Sequence, residues 1–146
     1  MTRASLVAAA LWLAACGGPL GWIHGGRLDG DVVSAPVDDW SFTHDVQRIQ
    51  LETNPSDPYS VNVWCVAKGA NLWVTAGNHA STWAENLLAD PRMRVRVGGK
   101  LYERVAVPVT DKAEVELVLS LYQEKYDYER DPNGALGSAQ FRLDPR

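Results

Sequence analysis

Cysteine is nearly absent from this 146-residue chain, with Cys16 and Cys65 as the whole supply. No disulfide framework is available, so an apolar core has to hold the fold. Cys65 lies in Val63-Trp64-Cys65-Val66, where a buried, inert thiol is the default, and no base or cation beside it in sequence would activate it. Long apolar runs are missing too. The run from Ala4 to Ala15 falls short of the roughly 20 residues a membrane-spanning helix needs. The net charge is −4, and no basic block or basic-aromatic stripe supports nucleic-acid binding. There is no Gly-x-Ser-x-Gly elbow, P-loop or His-Glu-x-x-His, so hydrolase and NTPase readings have no support. His24, His44 and His79 lack metal-ligand spacing with Cys65 or nearby carboxylates. No internal repeat or low-complexity tract appears.

What is present begins at the N-terminus. Met1-Thr2-Arg3 supplies a basic start, Ala4 to Ala15 a short apolar core, and Cys16-Gly17-Gly18-Pro19 a small-residue end, which is the order of a secretory signal peptide. Leu13-Ala14-Ala15-Cys16 resembles the lipobox of bacterial lipoproteins. That resemblance implies cleavage before Cys16 and acylation of its sulfur and amino group, giving firm anchoring where one chain would bind marginally. The alternative is an ordinary signal peptide with an incidental cysteine. The expected organisation is a signal peptide over 1–15, a lipidated tether over 16–24 and one domain over 25–146. The expected location is a bacterial cell envelope, lipid-anchored on its extracytoplasmic face. Gly17 is not an acidic retention residue, which favours the outer membrane where the host has one. The 131 residues left after cleavage suffice for one domain with one core.

Along that domain, Gly25 to Ser41 reads as an irregular entry segment, with Trp22, Trp40 and Phe42 as large apolar groups to pin it. Val46 to Glu52 is a strand. A proline-interrupted loop, Thr53 to Pro58, precedes the alternating run Tyr59 to Val66. Lys68-Gly69 turns the chain into Leu72 to Thr75, making a hairpin. Thr82 with Glu85 fits a capping box for a short helix ending before Pro91. In Arg92 to Val97 the arginines 92, 94 and 96 face one way and Met93, Val95 and Val97 the other. Gly98-Gly99 then turns the chain into a partner strand, Leu101 to Val109. Asp111 with Glu114 makes a second capping box, and Val115, Val118, Leu119, Tyr122 and Tyr126 follow helical spacing. Ala139 to Leu143 is a closing strand. Alternating strands joined mainly by hairpins predict a mainly β fold, a small antiparallel barrel with helices near 82–89 and 111–127.

The run from Ile49 to Asp111 resembles the split β-barrel superfamily of pyridoxamine-phosphate oxidase-like flavoproteins. Within it, the chain is most similar to the deazaflavin-dependent nitroreductase group, whose Trp-x-x-Asn-Leu-x-x-x-Pro stretch is matched by Trp83, Asn86, Leu87 and Pro91. The resemblance covers about half of the mature chain. It implies a homodimer with FMN or the deazaflavin F420 in clefts at the dimer interface. It also implies a ring near Thr75, Ala76, Gly77 and the start of the Trp83 helix. The group's Gly- and basic-rich phosphate loop is replaced here by Thr53-Asn54-Pro55-Ser56-Asp57-Pro58, which offers a phosphate no positive charge.

The helix start is the candidate site on chemical grounds as well. Free N–H groups and the dipole favour an anion there, with Gly77 permitting close approach and Asn78, His79, Ser81 and Thr82 lining it. The plain alternative is that Thr82 caps its own helix and the rest are loop polars. Arg94 or Arg96 is the candidate phosphate ligand, against an ordinary solvated strand face. Trp64 and Trp73 are candidates to stack on a ligand, with packing as the other role. Two functions follow. The first is a non-catalytic, membrane-anchored envelope protein that binds a ligand or nothing. The alternative is a flavin- or deazaflavin-dependent oxidoreductase with Thr75, Ala76, Gly77, Ser81, Thr82 and Trp83 around the cofactor and Arg94 or Arg96 at its phosphate. FMN or F420 and no cofactor stand as equal expectations.

Overall fold

The structure, a computed structural model, describes residues 17–77, 81–127, 129 and 139–146. The elements run β1 (Asp31–Val32), a 3-10 turn (Ser41–Thr43), β2 (Ile49–Thr53), β3 (Tyr59–Val63), β4 (Cys65–Lys68), β5 (Asn71–Ala76), α1 (Thr82–Ala89), β6 (Arg92–Val97), β7 (Lys100–Pro108), α2 (Lys112–Tyr126) and β8 (Ala139–Pro145). The main sheet has the order β3-β2-β6-β7-β8-β5-β4, all antiparallel. Only Trp64 separates β3 from β4, so the two ends of the sheet meet through one bent chain and the sheet curls into a split barrel. The continuous strand expected over Tyr59–Val66 is therefore broken at that bend. Its alternation survives, with Val63, Cys65 and Ala67 all in the barrel core.

The period-two pattern explains the rest of the interior. Met93, Val95 and Val97 point inward from β6, Leu72 and Val74 from β5, and Phe141 and Leu143 from β8. Gly98 and Gly99 have φ of 56° and 77°, the left-handed pair that a tight hairpin between β6 and β7 requires. Asp111 caps α2 by accepting from the Glu114 N–H at 2.9 Å. The helix lays Val118 and Tyr122 over Val66 and Trp73 on the outside of the β4–β5 hairpin. Each such large side chain buried stabilises by about 1.5–3 kcal/mol.

Several details depart from the expectations. Ser81 is the N-cap of α1 and Thr82 its first residue, one position earlier than a Thr82 cap would give. The entry segment contains a short strand, β1, paired in parallel with β7 through Asp31–Lys100 and Val32–Leu101. Two residues carry too little alternation for a strand signal. Trp40 is fully buried and pins the segment, with the Phe42 ring 5.4 Å from it and tilted 33°. Trp22 does not, because it projects into solvent. Among the described residues no helix is long and apolar enough to cross a membrane. Cys16 and the apolar run before it lie outside the described residues.

Candidate functional site

The residues matched by Trp83-x-x-Asn-Leu fasten α1 to the barrel. Trp83 and Leu87 are buried in the core, with the Trp83 ring 6.0 Å from Phe141 and tilted 58° to it. Asn86 Nδ2 donates to Thr53 Oγ1 at 3.0 Å, tying the helix to the β2–β3 hairpin. The indole of Trp83 faces the interior and so presents no stacking surface. A tryptophan that opens a short helix against a barrel has its apolar bulk drawn inward, and the spacing alone did not separate that role from a ligand's.

Outside α1 lies an open cleft of about 1140 Å³. Thr82 and Asn86 form one wall. The loop through Asn54, Asp57 and Pro58 with Tyr59 forms another, and the N-terminal segment from Gly17 to Asp29 closes the third. The loop is shaped by Asn54, at φ 55°, whose carbonyl accepts from Asp57 N–H at 3.0 Å. The N-terminal segment is held on the free edge of β3 by reciprocal Gly25–Ser60 backbone bonds of 2.8 and 2.9 Å. His24 stacks on Tyr59 with ring centroids 4.6 Å apart and 25° between planes, giving the cleft a flat aromatic wall.

The positive charges are arranged differently from the expectation. Arg94 forks onto the buried carboxylate of Glu52, Nε to Oε1 at 2.8 Å and Nη2 to Oε2 at 2.7 Å, and also donates to Leu28 O at 2.8 Å. The Glu52 carboxylate beside it holds the Arg94 guanidinium above its usual range. Arg96 donates to Gln50 Oε1 and to Asp29 O. Both arginines are committed to fixing β6, β2 and the entry segment, so neither is a ready phosphate ligand. Arg27 is the one that sequence reasoning passed over. Its side chain lines the large cleft and the neighbouring hollow of about 190 Å³ that also contains Arg94 and Arg146. It is exposed and makes no hydrogen bond or ion pair with any described residue. The signal was in the sequence: Gly17-Gly18 and Gly25-Gly26 allow two backbones to close on each other just before Arg27. A Cβ on Gly25 would stand 2.4 Å from the Gly18 carbonyl carbon.

The remaining candidates scatter. Thr75 and Ala76 end β5 and Gly77 is exposed just beyond it, while Asn78 and His79 lie outside the described residues. Only Thr82 of the expected set lines the cleft, and Ser81 sits half-buried at its edge. Trp73 is buried beneath α2 with its N–H on Glu114 Oε1 at 2.8 Å, and Trp64 stacks 4.4 Å from Tyr126. Cys65 does have a cation beside it: Lys125 Nζ lies 3.7 Å from its sulfur and donates to Cys65 O and Thr43 O. Burial nevertheless pushes the thiol up, outweighing Lys125, so Cys65 behaves as a packed, unreactive group. Among the described residues no cluster of three or more His, Cys, Asp or Glu is placed to hold a metal ion.

Comparison with known proteins agrees with this architecture. A family model described as F420H(2)-dependent quinone reductase matches residues 54–134, more than half of the chain. A conserved hypothetical protein from Mycobacterium tuberculosis superposes with a TM-score of 0.59 at 18% identity, covering 82% of this chain and 86% of that one. A pyridoxamine 5'-phosphate oxidase-type protein from Listeria innocua gives 0.58 at 13% identity, covering 73% and 89%. A structure described as an F420 reductase gives 0.50 at 18%, covering 77% and 96%. At these identities the structures establish the split-barrel fold. No curated protein matches the chain significantly.

Proposed function

The chain belongs to the F420H(2)-dependent quinone reductase family, and from that premise we propose that it is a deazaflavin-dependent oxidoreductase whose cofactor occupies the cleft beside α1. The family match carries this reading, and it favours the oxidoreductase over the non-catalytic envelope protein. The cleft fits such a group in size, since ligand sites run to about 1,000 Å³. Its chemistry fits as well. Arg27, unpaired among the described residues, offers a planar fork for a phosphate, which makes good the charge missing from the Pro55–Pro58 loop. The His24–Tyr59 stack offers a flat wall to a planar ring. Thr82 supplies a hydroxyl, and the first-turn N–H groups of α1 with their dipole favour an anion.

A reduced deazaflavin bound there supplies a hydride to an acceptor. The protein's part is to hold the phosphate on Arg27, orient the ring against Tyr59 and Thr82, and keep the α1 wall rigid through the Asn86–Thr53 bond. The resemblance read from the sequence adds a homodimer, and the lipobox adds anchoring through an acylated Cys16, which would keep the enzyme beside lipid-soluble acceptors. The test is oxidation of reduced F420 by the purified protein with a quinone or a nitroaromatic acceptor. Protein-dependent oxidation that requires an acceptor is expected. No turnover with either class would refute the reading.

A further inference from the structure

Ahead of the cleft the chain makes a two-residue hairpin turn, Leu20-Gly21-Trp22-Ile23. It is closed by Leu20 N–H to Ile23 O at 3.0 Å and Ile23 N–H to Leu20 O at 2.9 Å. Gly21 takes φ 58° at the first central position, as this hairpin class requires. Asn62 Nδ2 donates to Gly21 O at 2.8 Å, fixing the tip to β3. Leu20 is 70%, Trp22 94% and Ile23 52% exposed, with Leu20 and Ile23 at the rim of the cleft and Trp22 clear of it. A single exposed apolar residue needs no explanation. Three in four residues, on a tip whose shape is held by the backbone, do.

We propose that this turn is a wedge that seats the domain on a lipid bilayer, with Trp22 at the headgroup level and Leu20 and Ile23 beside it. Tryptophan prefers that interface because its ring is apolar and its N–H polar. The hydrogen bonds at the tip matter equally, since backbone groups entering the interface must already be satisfied. The preceding chain argues for lipid over a second copy of this protein. The apolar run Ala4–Ala15 and Cys16 come directly before Gly17. Gly17 and Gly18 pack tightly on the segment Gly25–Arg27, where a Cβ on Gly17 would meet Arg27 O at 2.0 Å. From Cys16 to Leu20 the chain can span at most about 14 Å, so any lipid at Cys16 brings the turn to the membrane surface. The wedge goes beyond the reductase reading and does not require that Cys16 be acylated.

The test uses the chain from Gly17 onward, which retains both core clusters in full, with phosphatidylcholine vesicles whose acyl chains are brominated. Cosedimentation is expected. The emission of Trp22, taken as the difference between wild type and Trp22→Phe, should shift blue and be quenched. Trp22→Ser should lower the vesicle partition coefficient at least tenfold, and Trp22→Asp should do the same. Both should leave the thermal midpoint unchanged. Equal partitioning of wild type and Trp22→Ser would overturn the proposal, as would no partitioning of wild type. So would Trp22→Ser converting a dimer to a monomer while vesicle binding persists, which would make the turn a contact between copies. F420 binding measured on the same preparations separates the claims, because loss of vesicle binding with intact cofactor binding concerns the wedge alone.

Discussion

Replacing Arg94 by Met should destabilise the fold by about 3 kcal/mol, although the arginine lies on a strand face that the sequence presents as wet. The reason is Glu52. Its side chain is 6% exposed and receives two guanidinium hydrogen bonds of 2.8 and 2.7 Å. Removing one partner of such a buried pair leaves an uncompensated charge, worth about 3–5 kcal/mol. Arg94 itself keeps 17% side-chain exposure, so water reaches part of the pair and the lower end applies. Leu28 O also loses a charged donor, about 1 kcal/mol of the total. The double variant Arg94→Met with Glu52→Gln removes both charges, while the amide oxygen can still accept from Leu28 N–H, which Glu52 now serves. It should recover about 2 kcal/mol relative to Arg94→Met. Urea unfolding followed by tryptophan fluorescence reads both, provided the denaturant slope is unchanged. A loss under about 1 kcal/mol for Arg94→Met, or a double variant no more stable than the single, would refute the reasoning.

Three further outcomes are expected. Arg104 lies in the barrel with its guanidinium carbon 4.8 Å from the Trp40 ring centroid, its Nε has no partner among the described residues, and burial pulls its pKa down. Arg104→Met should therefore be neutral or stabilising by up to about 2 kcal/mol, and a loss above 1 kcal/mol on thermal or urea unfolding would contradict this. Burial pushes the Tyr126 phenol from 10 to about 12. The unfolded chain then loses that proton first, and stability falls as pH rises from about 10 to 12. Tyr126→Phe should flatten that part of the stability–pH curve, and an unchanged slope would count against the assignment. Cys16→Ser should abolish incorporation of a labelled fatty acid into the protein in cells, whereas undiminished labelling would end the lipobox reading.

The fold was legible where interactions are local. Alternation through Arg92–Val97, the Gly98-Gly99 turn, the Asp111–Glu114 cap and the spacing from Val115 to Tyr126 each announce one element, and each is found. Interactions between distant residues were not legible. Nothing in Arg94 points to Glu52, 42 positions away in sequence, and nothing in Asp31-Val32 points to β7. The same limit shaped the site. The Trp83–Pro91 stretch announced α1, which is found. It left open which side chains face solvent, so Thr82 reached the cleft and Trp83 the core. Arg27 escaped notice because its role depends on an entry segment that returns to cover the edge of β3.

The most direct test of the central claim is an equilibrium titration of F420, with FMN alongside, against wild type and Arg27→Ala. Wild type should bind the deazaflavin saturably at micromolar concentration or better, about −8 kcal/mol. Because Arg27 is exposed, binding should weaken with salt. Arg27→Ala should lose about 1.5–3 kcal/mol, the worth of a charge-assisted bond to phosphate, with no change in unfolding midpoint. Absence of saturable binding by both cofactors, or identical affinity in wild type and Arg27→Ala, would contradict the account.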